Sequence, residues 1–528
     1  MNEPPTREPQ DVHPETHRAT RSIAVVGAGT MGSGIAELAL TRGFHVALYD
    51  VSGQQLARAQ GALHANLTRL HERGKLREHP DALLARLTST SDLGALGGAD
   101  VIIEAAPERL DLKRDLFRQL DEVNPAAVLA TNTSTLLVSA IAAGVENPAR
   151  VVGMHFFNPA QVLPLVEVIR GEDTGDDAVR VVTELARTLG KTPVLCQDTP
   201  GFIVNRVARP FYGEGLRLAA EQVGTYADID RVMRGAGFRM GPFELMDLIG
   251  LDVNYASTNS VYDAYFHDPK YRPHPTQARL VAAGRLGRKT GRGFYPYPQE
   301  KPETSAATTP ARPDAKLHFT GHGPVRDAIE AALGAYEHAS AETADWIIDC
   351  TDSLDEKARL RDLRTPASFL TLTYPGSATR VASLLPRPER AVGFSVTLPL
   401  AEGSVWEVTP ALQSASGLAQ EALVLLQGAG VATQLTGETP GGIAARTIAM
   451  LANEAVSALA EGVADAATID TAMRLGTNYP RGPLEWAALI GLRRVLTILE
   501  GLHAETGDDR YRPHPLLRRA VLAERTTL

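Results

Sequence analysis

The chain has 528 residues, too many for one core; at about 150 residues per domain it suggests three or four domains. Its 44% apolar and 22% charged residues exclude a largely disordered chain, and its net charge of -9 argues against nucleic acid, which needs a clustered basic face. Two cysteines, Cys196 and Cys350, are too few for a disulfide framework or a thiolate metal cluster, and they fit a reducing cytoplasm.

Residues 1–20 are polar and proline-rich, and read as a disordered tail without the apolar stretch of a secretory signal. No run of about 18 apolar residues marks a membrane span, so no membrane partner is expected. The ordered region opens with a strand-type run at 22–26 (SIAVV). Gly27-Ala28-Gly29-Thr30-Met31-Gly32 follows at once, then a helical stretch. A second strand-type run, 45–49, ends at Asp50. Further short apolar runs at 100–104, 127–131 and 151–155 alternate with helical stretches such as 109–122. This alternation predicts an α/β domain over 21–197, a Rossmann-type doubly wound parallel sheet with helices on both faces.

After Asp198-Thr199-Pro200-Gly201 the pattern turns helical, at 202–222, at 226–235 and after Pro242. An all-helical domain over 198–298 is predicted. Residues 299–315, rich in Pro, Thr and Ala, read as a linker.

The remaining chain repeats what came before. Asp198-Thr199-Pro200-Gly201 recurs as Glu438-Thr439-Pro440-Gly441, a shift of 240. Tyr271-Arg272-Pro273-His274-Pro275 recurs as Tyr511-Arg512-Pro513-His514-Pro515, and Val152-Gly153-Met154 as Val392-Gly393-Phe394, at the same shift. Gly241-Pro242-Phe243-Glu244 recurs as Gly482-Pro483-Leu484-Glu485, shifted by 241. The copy is incomplete. The interval from Ile23 to Glu104 is 81 positions, and its counterpart from Leu317 to Asp349 is only 32. The missing positions are expected to have held the second strand, its helix and the segment before the next strand. A shortened, degenerate Rossmann-like domain at 316–435 and a second helical domain at 436–528 follow.

The glycine pattern follows a strand, opens a helix, and stands 23 residues before an acidic residue at the next strand end. In that context it predicts a dinucleotide site. Gly27 allows the tight turn, Gly29 lets the backbone approach a pyrophosphate, and Gly32 permits close helix–strand packing. With Thr30 and Met31 they present free N–H groups at a helix N-terminus. Asp50 either accepts from the adenosine ribose hydroxyls, favouring NAD over NADP, or caps a helix.

Oxidising a secondary alcohol needs a base for the hydroxyl proton, and histidine titrates in the right range. His155 follows a strand-type run, at the sheet edge where doubly wound folds bind ligands. Glu167 ends an apolar run twelve residues on, where a return of the chain brings its carboxylate to the other imidazole nitrogen. The segments Asn132-Thr133-Ser134-Thr135, Gly153-Met154-His155-Phe156-Phe157-Asn158-Pro159, Glu167, 198–206 and Lys289-Thr290-Gly291-Arg292-Gly293-Phe294-Tyr295 together resemble the 3-hydroxyacyl-CoA dehydrogenase family. In layout the chain is similar to the bacterial long form with a degenerate second half, of 3-hydroxybutyryl-CoA or 3-hydroxyadipyl-CoA type.

The resemblance implies NAD-dependent, reversible oxidation of a (3S)-3-hydroxyacyl-CoA to a 3-oxoacyl-CoA, in fatty-acid β-oxidation or phenylacetate catabolism. It makes His155 the base and Glu167 its partner, sets Ser134 and Asn205 on the substrate oxygen, and adds Asn158 to the substrate contacts. Ser134 and Asn205 are also residue types of turns and caps. Glu108 and Lys113 match family positions near the nicotinamide ribose, or form a solvated charge pair. No metal is implied, since no His, Cys or Asp cluster has ligand spacing. Two alternatives stand: a dehydrogenase of a non-CoA 3-hydroxy acid, and a non-catalytic NAD-binding scaffold.

In the repeat His155 becomes Ser395, Ser134 becomes Tyr374, Asn205 becomes Ala445 and Glu108 becomes Ser353, while Glu167 is kept as Glu407. The second half is therefore expected to be catalytically silent and structural. The family's helical domain commonly forms a dimer interface, so the resemblance implies a homodimer or an intrachain pair of helical domains.

Overall fold

The structure, a computed structural model, describes residues 20–298, 314–400 and 403–528. The expected tail, apart from Thr20, and the expected linker, apart from Asp314 and Ala315, lie outside the described residues.

Short apolar runs build the first sheet, because residues buried on both faces leave no room for polar alternation. Its strands are β1 (Ser22–Val26), β2 (His45–Tyr49), β3 (Leu87–Thr90), β4 (Val101–Glu104), β5 (Val128–Thr131), β6 (Val151–Phe156), β7 (Leu165–Arg170) and β8 (Thr192–Gln197). Their order is β3-β2-β1-β4-β5-β6-β7-β8. The order reverses direction beyond β1, and the glycine turn after β1 lies at that crevice. Neighbours run parallel except β6 and β7, which are antiparallel. The sheet is thus mixed where a parallel one was expected. The chain turns back directly after β6, and this return places His155 opposite Glu167 in register.

The second sheet runs β10-β9-β11-β12-β13-β14-β15, with β9 (Lys316–Thr320), β10 (Glu337–His338), β11 (Trp346–Asp349), β12 (Ser368–Leu372), β13 (Ala391–Ser395), β14 (Val405–Pro410) and β15 (Ala432–Leu435). Here too one pair, β13 and β14, is antiparallel. The expectation that the copy had lost its second strand needs correcting. That strand survives as the two residues of β10, paired to β9 as β2 is to β1. The counterparts of the helix Gly53–Glu72 and of β3 are what is missing among the described residues.

The helix expected over 202–222 is broken into Val204–Val207 and Arg209–Ala220. Pro210 has no N–H to continue the ladder. These helices pack on the helix Gly442–Ala460 of the second half. That helix is long and apolar enough to cross a membrane by composition, contrary to the reading that no such run exists, but 83% of the tested window is buried inside the fold.

The packing is reciprocal. Arg206 reaches Glu454 at 2.7 Å and Glu461 at 2.6 Å. Arg446, 240 residues on, reaches Glu214 at 2.8 Å and Glu221 at 2.7 Å. The acidic partners are themselves repeat-equivalent. Tyr271 donates to Glu454, and Tyr511 accepts from Arg446. A pseudo-twofold axis therefore runs between the two helical domains of one chain. Both guanidinium groups are buried, and each is neutralised by two carboxylates, the condition under which a buried charge is tolerated.

Candidate active site

The glycine turn is held by backbone on every side but one. Gly27 has φ +101°, and a Cβ there would sit 2.7 Å from the Ala105 carbonyl oxygen. A Cβ on Gly32 would lie 1.7 Å from the Gly27 carbonyl oxygen, so the constraint at Gly32 is helix against turn rather than helix against strand. A Cβ on Gly29 would have no neighbour within 4 Å. Gly29 is the N-cap of the helix Thr30–Thr41 and supplies no side-chain cap, and no acidic residue fills the first turn. Met31 is half-buried beside it. The open Gly29 backbone and the uncapped N–H groups of this helix fit a pyrophosphate.

Asp50 accepts from the Ala28 N–H at 2.8 Å and from the Ser52 N–H at 2.9 Å. The following helix is capped by Ser52, not by Asp50. The Asp50 carboxylate thus ties the glycine turn to the end of β2, at the position where a ribose would meet it.

Glu104 ends β4 and is fully buried. It receives Lys113 Nζ at 2.6 Å and the Thr131 hydroxyl at 2.7 Å. Lys113 also lies 3.4 Å from Glu108 and is only 1% exposed, so the solvated-pair reading is wrong for it. The second half keeps the same device: Lys357 donates to Asp349 at 2.7 Å, and Thr371 donates to it at 2.6 Å. A group retained where the imidazole is replaced by Ser395 is a packing element first. Glu108, its side chain 34% exposed, accepts from the Ser134 N–H at 2.8 Å, the Thr133 hydroxyl at 2.8 Å, the Ser134 hydroxyl at 3.1 Å and the Thr135 N–H at 3.0 Å. Burial pushes its carboxyl up, but the Lys113 charge and these donors outweigh burial and hold it below the ordinary range. The sequence reading missed Thr133 and Thr135 as its anchors, although three consecutive hydroxyl residues after a strand are the signal.

His155 Nδ1 lies 2.7 Å from Glu167 Oε2, with the histidine 5% exposed and the glutamate fully buried. Glu167 Oε1 accepts from the N–H groups of Ile203 at 3.1 Å and Val204 at 2.9 Å. With both carboxylate oxygens engaged, Nδ1 carries the proton and Nε2 is left as the basic nitrogen. Phe157 packs on the imidazole with ring centres 4.5 Å apart. The Asn205 amide donates to the Ser134 carbonyl at 3.2 Å, so these two residues from distant parts of the chain meet. Asn158 is exposed and precedes a cis Pro159.

From Phe157, Asn158 and Asn205 a cleft of about 620 Å³ runs into the helical domains. Phe211, Phe238, Met240 and Leu245 make it largely apolar. Gly476, Thr477, Asn478 and Tyr479 of the second half complete the wall. The second half therefore shapes the cleft, a part in the site that the sequence reading did not give it. Where the first half has its dyad, the second is filled: the Ser395 hydroxyl donates to the Gly441 carbonyl at 2.6 Å, and the buried Tyr374 donates to the Val396 carbonyl at 2.7 Å. Glu407 still accepts from two helix N–H groups, those of Ile443 and Ala444, as Glu167 does.

A doubly wound sheet with an open glycine turn, and a buried histidine–carboxylate pair at the edge of a cleft, defines a dinucleotide-dependent dehydrogenase. The comparisons give the family. The 3-hydroxyacyl-CoA dehydrogenase NAD-binding domain matches residues 22–199, and the family's C-terminal domain matches 201–297 and again 441–527. The chain belongs to the 3-hydroxyacyl-CoA dehydrogenase family, and it is an NAD-dependent enzyme of that kind. It is 41% identical over 96% of its length to the 3-hydroxyadipyl-CoA dehydrogenase of Escherichia coli K12, covering 98% of that protein. A crystal structure of 3-hydroxybutyryl-CoA dehydrogenase from E. coli K12 superposes with a TM-score of 0.82 at 40% identity, covering 96% of this chain and 99% of that one. The (S)-3-hydroxybutyryl-CoA dehydrogenase of Ralstonia eutropha, 39% identical with a TM-score of 0.51, is covered completely by 53% of this chain.

Proposed function

We propose that this chain oxidises (3S)-3-hydroxyacyl-CoA thioesters to 3-oxoacyl-CoA, reversibly, at a single site in its first half. The observation that carries this is the buried 2.7 Å contact between His155 and Glu167, directly behind the cleft residues Phe157 and Val204, set against a second half that keeps the carboxylate and lacks the imidazole. His155 Nε2 takes the substrate hydroxyl proton. Glu167 holds the tautomer and stabilises the imidazolium that results. Asn205 and Ser134 hydrogen-bond the substrate oxygen as charge develops, Ser134 turning its hydroxyl from Glu108 to do so. Asn158 borders the entry of the acyl group. NAD, when bound, supplies the hydride acceptor. Gly27, Gly29, Thr30, Met31, Gly32 and Asp50 hold it, and Lys113 positions Glu108 on the nicotinamide side. Two buried, free cysteines agree with a cytoplasmic location. A role in β-oxidation or phenylacetate breakdown depends on the acyl group accepted.

The test is an NADH-linked assay over 3-oxoacyl-CoA and 3-hydroxyacyl-CoA substrates, with His155→Ala as the control. Turnover of CoA thioesters is expected, falling about a hundredfold or more in the variant while NAD still binds. Turnover of free hydroxy acids alone would replace this reading with a non-CoA dehydrogenase. NAD binding without turnover of either would make the chain a scaffold.

A further inference from the structure

The loop 157–164 joins the two strands that carry the dyad, from the end of β6 to the start of β7. Phe157 packs on the His155 ring, and Phe157, Asn158, Pro159 and Leu163 line the cleft. The far end of this loop is held by Lys191, whose Nζ donates to the Leu163 carbonyl at 2.8 Å. Its middle is held by Gln161. The Gln161 amide donates at 3.1 Å to Glu37 Oε2, on the helix Thr30–Thr41 that the glycine turn opens. Asn66, on the helix Gly53–Glu72, donates to the same oxygen at 3.2 Å.

Two local costs serve this one contact. Glu37 is 5% exposed and forms no ion pair among the described residues, so its carboxylate is met by two amides and no cation. A carboxylate buried in that way is unfavourable, and an apolar pair would join helix to loop with less strain on solvation. What the carboxylate adds is direction, because it fixes where the amide stands. The second cost is Gly34, three residues before Glu37 and on the same helix face. Glycine inside a helix is less stable than alanine. A Cβ on Gly34 would sit 2.9 Å from Gln161 Oε1 and 3.1 Å from its Nε2, so the missing methyl is the seat of the Gln161 amide.

We infer that Gln161 is a positioning residue for the acyl-CoA substrate: seated on Gly34 and bonded to Glu37, it sets the loop that borders the cleft. This rests on the 3-hydroxyacyl-CoA reading of the site. The dyad does not depend on the seat, because β6 and β7 hold His155 opposite Glu167 in register. Nor does the glycine turn, which Asp50 and the surrounding backbone hold. A loop released from Gly34 and Glu37 therefore weakens the fit of the substrate more than it slows the chemistry, and it leaves NAD binding as it was. The helix that receives the cofactor thus also carries, through one amide, the wall that meets the substrate.

The test is steady-state kinetics of the full chain, with melting curves, on the (3S)-3-hydroxyacyl-CoA that the wild type turns over best. Gln161→Ala should raise the KM for the acyl-CoA about tenfold, as for one lost hydrogen bond to a charged group, with kcat reduced by less and the KM for NAD within about twofold. Gly34→Ala removes no polar group and should raise the same KM several-fold, while the melting temperature holds or rises because alanine favours the helix. A residue that only packs would not separate KM from stability in this way. Gln161→Glu sets two carboxylates together and should raise the KM further. Adding Glu37→Gln inverts the pair, leaves an acceptor for Asn66, and should bring the KM back to within about threefold of the wild type. Wild-type kinetics in Gln161→Ala would overturn the inference and leave 3-hydroxyacyl-CoA oxidation standing. So would a joint rise of both KM values, or a folded inverted pair no better than Gln161→Glu alone. Gln161→Ala and Gly34→Ala decide the matter if the inverted pair does not fold. A wild type that oxidises no 3-hydroxyacyl-CoA would instead remove the underlying function, and this inference with it.

Discussion

Glu167 and Glu407 occupy equivalent places and each accepts from two N–H groups at the start of a helix, Glu167 through Oε1 alone and Glu407 through one on each oxygen. They differ in what faces the remaining side: His155 at one, Ser395 at the other. The carboxylate therefore persists without the imidazole because it joins a strand to a helix N-terminus. Without a cation, burial pushes the Glu407 carboxyl from an ordinary 4.5 up to about 7, opposed by the two amide donors. A buried acid of this kind keeps its proton in the folded state after the unfolded chain has released it. Its contribution to stability is therefore lost as pH rises from about 4.5 to about 7, by on the order of 3 kcal/mol across the window. Glu407→Gln should flatten that part of the stability curve at the expense of one helix-cap bond. Thermal melts of both proteins between about pH 5 and pH 7.5 measure it. A Gln variant that loses as much stability over the range as the wild type would show that Glu407 is not the group responsible.

At the scale of elements, the glycine turn separates structural from functional glycines. Gly32→Ala would drive a Cβ to within 1.7 Å of a carbonyl oxygen, so the helix must leave the turn and the domain should lose stability. Gly29→Ala meets nothing within 4 Å, so the fold should hold while NAD binding weakens about tenfold, the methyl standing where the pyrophosphate approaches. Fluorescence titration of NAD alongside a melting curve separates the two effects. Unchanged NAD affinity in Gly29→Ala would mean that the cofactor does not pass over this residue. This loop, the strands beside it and the facing pair His155 and Glu167 were legible in the sequence, because turn chemistry, apolar runs and a short antiparallel return are all local. The remnant strand β10 was not. Its two residues are Glu and His, both exposed, and they show no apolar run. Arg206 and Arg209 also look alike in sequence. Only contacts some 250 residues away show that one is neutralised and the other is not.

For the whole molecule, the reciprocal pairs between Arg206 and Glu454 and between Arg446 and Glu214 make one chain equivalent to two copies of a helical domain. The (S)-3-hydroxybutyryl-CoA dehydrogenase of Ralstonia eutropha is matched over its whole chain by 53% of this one. A chain ending at Pro298 would strip Arg206 of its two carboxylates and leave Glu214 with Arg217 alone, and it would bare the apolar face that covers the helix Gly442–Ala460. The cheapest relief is a second copy, because the pseudo-twofold would become a true one: Arg206 of one copy can meet Glu214 and Glu221 of the other, as Arg446 does in the full chain. The truncated protein should therefore dimerise, and Arg206→Glu should break the dimer by setting like charges against each other. Sedimentation velocity with thermal melts reads both. A truncated monomer as stable as the full chain would show that the duplicated half does not stand in for a subunit.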